Sequence, residues 1–256
     1  MSAPTRVFIT GASSGIGQAL ARHYAQRGAS LGLVARREAS LEALAANLVA
    51  PCALYPVDVR DAAGMRRAAA DFVGHHGGVD IVIGNAGVSA GTLTERAEDQ
   101  SVFQEILDIN VVGLFNTFQP FADGMRAAGR GTLAGIASVA GFRGLPGSGA
   151  YSASKAAART YLESLRVELH GTGVRVVTIS PGYIRTPMTA HNPYPMPFLM
   201  DADDAARRMA GAIARGVAHA VIPWQMGVVG AVLRALPRPV YDALFARAPR
   251  KPRRER

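Results

Sequence analysis

Lysine is scarce in this chain: of its 28 basic residues only Lys155 and Lys251 are lysines, and the other 26 are arginines. A Tyr-x-x-x-Lys spacing, expected by chance in roughly one such chain in twenty, is therefore uncommon here but not decisive alone. Cysteine is scarcer still. Cys52 stands alone, which excludes an intramolecular disulfide and fits a reducing compartment, expected to be the cytoplasm. No low-complexity stretch, internal repeat or Ser/Gly-rich linker divides the chain before its last 20 residues or so. One domain is expected over residues 1–235, followed by a basic extension at 236–256. The opening MSAPTRVFIT lacks the parts of a signal peptide. Ala220 to Leu233, an uncharged apolar run of 14 residues interrupted by Pro223, falls short of the ~18 to 20 that a membrane-spanning helix needs. No metal site is expected.

Charge is unevenly placed. The formal net charge is +9, yet Arg234 to Arg256 holds eight basic and two acidic residues, leaving +3 for everything before it. APRKPRRER, at residues 248–256, is expected to be a solvated, partly disordered end. Weak contact with an anionic membrane surface is the lesser reading. Nucleic acid is not expected as a partner, because no aromatic platform or recognition motif accompanies the charge.

Apolar, β-branched runs at 6–10, 30–35, 52–59, 79–85, 131–138 and 174–180 alternate with alanine-rich segments of helical spacing, including 15–27, 40–49, 62–75 and 151–169. Such alternation predicts parallel βαβ units with right-handed crossovers. The expected fold is α/β, a single-domain Rossmann-like doubly wound parallel sheet with helices on both faces, and HAVIP (219–223) adds an edge strand. Ligands of this architecture sit beyond the carboxyl ends of the strands.

There the sequence places Gly11-Ala12-Ser13-Ser14-Gly15-Ile16-Gly17, directly after the first strand and opening a helix. Its glycines permit a tight turn and close backbone approach to a pyrophosphate at the helix N-terminus. The second strand ends in Val34-Ala35-Arg36-Arg37, with no acid to hold a ribose 2'-hydroxyl and two guanidinium groups suited to a 2'-phosphate. NADPH is accordingly expected over NADH, with Arg36 the nearer contact and Ser14 a helper. Asp58-Val59 is placed to meet the adenine, and Asn85-Ala86-Gly87 to bring backbone and amide to the adenosine ribose.

TGASSGIG (10–17), DV (58–59), NAG (85–87), IN (109–110), IAS (136–138), YSASK (151–155) and PGYIRT (181–186) occur in register, and with them the chain resembles the short-chain dehydrogenase/reductase family, of the NADP(H)-preferring type, from about Thr5 to Pro223. That resemblance implies NADPH-dependent reduction of a carbonyl, reversible as an alcohol dehydrogenase. Tyr151 would protonate the developing alkoxide. Lys155 would stabilise the phenolate and hold the nicotinamide ribose, and Ser138 would donate to the substrate oxygen. Asn110 would hold a water linking Lys155 to solvent. Pro181, Gly182, Ile184 and Thr186 would cover the nicotinamide, and a substrate lid would span about 186–215.

Gly84 departs from the pattern, standing where many relatives carry a second asparagine. Phe142, Leu145 and Tyr183 are expected in the pocket wall. The implied substrate is an apolar ketone or a 3-oxo compound, with a 3-oxoacyl thioester as the alternative. A non-catalytic NADP(H)-binding regulator is the reading from another class. The family also implies a homodimer or homotetramer.

Overall fold

The computed structural model describes residues 4–253. The first half runs β1 (Arg6–Thr10), α1 (Gly15–Ala25), β2 (Ser30–Val34), α2 (Glu38–Ala45), β3 (Cys52–Tyr55), α3 (Ala62–His76) and β4 (Ile81–Gly84). The second continues with α4 (Gln100–Leu107), α5 (Gly113–Ala127), β5 (Gly131–Ile136), α6 (Gly149–Glu168) and β6 (Val174–Pro181). After these come β7 (Ile184–Arg185), β8 (Met200–Asp201), α7 (Ala202–Arg215), β9 (His219–Ile222), α8 (Gln225–Ala235) and α9 (Arg238–Phe245).

Seven strands make one parallel sheet in the order β3-β2-β1-β4-β5-β6-β9. Strands buried on both faces read as continuous apolar runs, and β2, SLGLV, is buried at every position. On one face Leu20, Leu41, Met209 and Ile213 pack with Ile9, Leu33 and Ile179. On the other, Phe72 of α3, Phe118 of α5 and Leu162 of α6 pack with Phe8, Val82 and Val176. The strand order reverses between β1 and β4, and this switch point opens a crevice at the carboxyl ends of the strands.

Local chemistry shifts some boundaries. β3 stops at Tyr55 because Pro56 has no N–H to give the ladder, so Asp58 lies in the following turn and not in the strand. Residues Asp108–Val112 form a widened π-type turn between α4 and α5, with Asn110 inside it. β7 and β8 pair to frame the proline-rich excursion 186–199, with an Arg185 to Asp201 ion pair of 2.8 Å at its base. Among the described residues no helix is long and apolar enough to cross a membrane, and no group of three or more His, Cys, Asp or Glu gathers as metal ligands.

The C-terminal region wraps the chain instead of leaving it. Arg143 donates to the carbonyls of Leu233 (2.6 Å) and Leu236 (2.9 Å) at the end of α8, and its guanidinium lies 4.1 Å from the Tyr241 ring centroid. Tyr241 in turn donates to the Gly144 carbonyl at 2.5 Å. The solvated end expected at 248–256 is thus replaced, through residue 253, by a segment seated on the protein: Gly91 N donates to the Pro252 carbonyl at 2.9 Å. Arg253 pairs with Glu98 and Asp99, each at 2.8 Å. Residues 254–256 of the basic extension lie outside the described residues.

Candidate active site

A cleft of about 360 Å³ lies at the switch point. The phosphate loop forms its floor. Gly11 takes a left-handed φ of +66°, and a side chain on Gly17 would strike the Asn85 amide at 2.5 Å, so the helix start and the β4 end close on each other only because both positions are bare. Gly11, Ser13, Ser14, Gly15 and Ile16 all face the cleft. Ser14 caps α1 with extended backbone, and its hydroxyl makes no capping bond. The first-turn N–H groups of α1 therefore remain available to an anion.

Arg36 and Arg37 reach the cleft from the end of β2, exposed, and neither donates a hydrogen bond to protein among the described residues. A bare glycine floor, uncommitted helix N–H groups and two exposed guanidiniums fit a nicotinamide dinucleotide. Asp58 and Val59 also line the cleft. The Asp58 carboxylate, however, is engaged by Arg60, which donates from Nη2 at 2.7 Å and from its backbone N at 2.9 Å. That pairing holds Asp58 below the ordinary carboxylate range.

Asn85 differs from its expected orientation. Its amide Nδ2 donates to the carbonyls of Thr10 and Gly11, both at 3.1 Å, while Thr10 Oγ1 accepts from the backbone N of Asn85 (3.2 Å) and of Ala86 (3.3 Å). The amide thus braces the phosphate loop, because two loop carbonyls need donors there, and does not present its N–H groups to a ribose. Ala86 and Gly87 leave backbone along the cleft. The Gly84 departure has a packing cause: a side chain there would meet Leu114 of α5 and come within 3.1 Å of the Phe118 ring.

On the opposite wall stand Ser138, Tyr151 and Lys155. The Lys155 ammonium donates to the Ile136 carbonyl at 2.9 Å and lies 5.9 Å from the Tyr151 ring centroid. Burial draws Lys155 down to about 8. Burial also pushes the Tyr151 phenol up, opposed by the neighbouring Ser138 hydroxyl. Lys155 was expected to lower the phenol; desolvation dominates here because both groups sit in the wall and each is pushed toward its neutral form. Ser138 Oγ also accepts from Ala140 N at 3.1 Å, which fixes the hydroxyl at the end of β5.

Asn110, 2% exposed, sits behind this pair rather than in the cleft. Its Oδ1 accepts from Val88 N at 2.8 Å, and its Nδ2 donates to the Val88 carbonyl at 3.0 Å and to Ser154 Oγ at 2.9 Å. Ser154 donates to the Tyr151 carbonyl at 2.8 Å, so it links Asn110 to the catalytic helix. Spacing had assigned Ser154 nothing.

Pro181, Gly182, Ile184 and Thr186 form the remaining rim, with Thr186 packed 3.2 Å from where a Gly15 side chain would begin. Thr189, missed in the sequence, organises this loop: its hydroxyl donates to the Ile184 carbonyl at 2.7 Å and accepts from Thr186 N at 3.1 Å. Phe142 does not enter the expected wall. It turns under α8, where it leaves no room for a side chain on Gly230, and its ring meets His219 (5.9 Å) and the Arg159 guanidinium (5.0 Å).

A dinucleotide cleft whose inner wall carries a tyrosine and a buried lysine is the equipment of a nicotinamide-dependent oxidoreductase. A family model described as short chain dehydrogenase matches residues 5–195, and the chain belongs to that family. It is 43% identical over 244 residues to an uncharacterized oxidoreductase of Myxococcus xanthus, covering 93% of this chain and 95% of that one. It is 37% identical over 186 residues to a sulfoacetaldehyde reductase of Chromohalobacter salexigens, covering 72% of this chain and 74% of the other. A 3-ketoacyl-ACP reductase from Sinorhizobium meliloti superposes with a TM-score of 0.78 at 27% identity, over 88% of this chain and 99% of that one.

Proposed function

We propose that this protein is an NADPH-dependent carbonyl reductase, acting on a ketone with an apolar body or on a 3-oxo compound. The observation that carries the reading is Tyr151 beside Ser138 and backed by Lys155 on the wall of the glycine-floored cleft. Bound there, a reduced nicotinamide dinucleotide supplies the hydride. Arg36 and Arg37 hold the 2'-phosphate, the α1 N-terminus the pyrophosphate, and Thr186 with Ile184 the nicotinamide end.

Tyr151 gives its proton to the substrate oxygen. A phenol pushed up by burial keeps that proton at neutral pH, which suits a general acid in the reducing direction. Ser138 donates to the same oxygen as charge develops on it. Lys155 orients the ribose and favours the phenolate left after transfer. The Asn110 side chain is committed to Val88 and Ser154, and we assign its backbone, inside the widened turn at 108–112, to holding the water that returns a proton. The excursion 186–199 serves as the lid.

Reduction of a carbonyl is also what the names of the sulfoacetaldehyde reductase and the 3-ketoacyl-ACP reductase describe. The second name favours an oxoacyl thioester as the alternative substrate. A homodimer or homotetramer is supported by exposed apolar side chains on two helical faces, Phe103, Val112 and Phe115 on one and Trp224, Val228 and Val232 on the other. Tyr151→Phe removes one hydroxyl at nearly constant volume. Reductase turnover is expected to fall by about 10²- to 10⁴-fold with NADPH binding retained, and near-wild-type turnover in a folded variant would defeat the assignment.

A further inference from the structure

Both lysines of the chain converge on one ring. Lys251 Nζ lies 5.8 Å from the Tyr151 ring centroid, as close as Lys155 Nζ at 5.9 Å, although Lys251 and Tyr151 are 100 residues apart in sequence. Lys251 reaches this place on a strap, residues 250–253, that the fold holds at three points. Pro252's carbonyl accepts from Gly91 N at 2.9 Å, and a side chain on Gly91 would come within 2.9 Å of that same oxygen. Arg253 donates from Nε and Nη2 to Asp99, which is 6% exposed and also accepts from Leu93 N at 2.8 Å. Arg250 packs on Gly147, where an added side chain would stand 2.8 Å from its Cβ.

The strap's anchors are satisfied, but its central charge is not. Among the described residues Lys251 has no hydrogen bond and no ion pair, only the face of Tyr151, and burial lowers it from the ordinary ammonium range. Two residues before the Gly91 contact, Ser89 Oγ is buried without a hydrogen-bond partner. A half-buried ammonium is costly unless paired. An arginine-rich chain that places one of its two lysines here has a compact cation beside the ring of Tyr151, a residue that itself lines the cleft.

We infer that Lys251 is a substrate-recognition residue, and that the carbonyl substrate carries an anionic group, a carboxylate, sulfonate or phosphate, within a few bonds of the reacting carbon. The ammonium pairs with that group while Tyr151 meets the carbonyl oxygen. The strap thereby selects, among carbonyl compounds, those bearing a negative charge next to the reacting centre. This rests on the reductase reading for where the substrate lies.

Two measurements keep the two ideas apart. By isothermal titration with NADP+ present, butanoate is expected to bind the wild-type protein about tenfold tighter than butanamide, the scale of one charge-assisted hydrogen bond. Lys251→Gln abolishes that preference and Lys251→Arg keeps part of it. No measurable preference in the wild type, which requires no variant to fold, or a preference that survives Lys251→Gln, overturns the inference. In turnover, the ratio of kcat/KM for 3-oxobutanoate to that for methyl 3-oxobutanoate is expected to fall about tenfold in Lys251→Gln, mainly through KM. A ratio within about twofold of wild type also overturns it. If the wild type oxidises NADPH with neither 3-oxo compound, the reductase reading fails, and the binding comparison still decides the role of Lys251.

Discussion

Lys155 should cost the protein stability, and the cost should be visible as a function of pH. Its ammonium is buried in the cleft wall with one hydrogen bond, to the Ile136 carbonyl at 2.9 Å, and burial draws it from 10.5 to about 8. That difference corresponds to about 3 kcal/mol against the folded state wherever the lysine is charged in both states. The sign follows from which state binds the proton more weakly. Below pH 8 folded and unfolded chains are both protonated and the whole penalty applies. Between about 8 and 10.5 the folded lysine releases its proton first and the penalty fades, and above 10.5 it is gone.

Lys155→Met keeps most of the stem and removes the charge, at the expense of leaving the Ile136 carbonyl unpaired, which costs roughly 1–3 kcal/mol at any pH. The variant should therefore be near wild type or up to about 2 kcal/mol more stable at pH 7, and less stable than wild type at pH 10.5. Relative to wild type its Tm should drop by roughly 6–12 °C between those pH values, taking about 2–4 °C per kcal/mol for a chain of this size. Thermal melts of both proteins without added nucleotide, from pH 7 to 10.5, read this directly. Tyr151, pushed up by burial, titrates above most of this window. Parallel Tm curves, separated by a constant within about 1 °C, would refute the reasoning.

On the proposed NADPH reading, Arg36→Ala with Arg37→Ala should raise KM for NADPH by about 10- to 100-fold and leave KM for NADH within about threefold, since two exposed guanidiniums proposed to meet the 2'-phosphate are removed; steady-state kinetics with both cofactors would show it, and equal losses would defeat that reading. Gly84→Asn, which restores the side chain many relatives carry, should lower stability by about 1–3 kcal/mol through overpacking against Leu114 and Phe118, as read from urea unfolding, and a neutral substitution would show that α5 can shift.

What the sequence made legible was local. The phosphate loop announces itself because a tight turn, a close approach and a helix start fall within seven consecutive residues, 11–17, and the sheet because β1, β2 and β6 are long apolar runs between alanine-rich helices. Tyr151 and Lys155 share one helix face, so their spacing carried their proximity. Roles set by long-range contacts stayed hidden. Asn85 points its amide at Thr10 and Gly11, some 75 residues away in the chain, and no local pattern distinguishes that from an amide facing a ribose. Phe142 is drawn under α8 by the bare Gly230, and Gly84 is explained only by the α5 side chains packed on it. The basic end looked like solvated tail because charge composition is blind to partners. Its seat is a buried aspartate and a glycine carried by the loop after β4.

That seat gives synthesis an order. Thr189, the last residue lining the dinucleotide cleft, precedes Lys251 by 62 positions, so at about 5–20 residues per second all the lining residues are synthesised several seconds before the strap emerges. Between those moments every residue of that lining exists, while Gly91 and Asp99, the seat of the strap, still lack their partners.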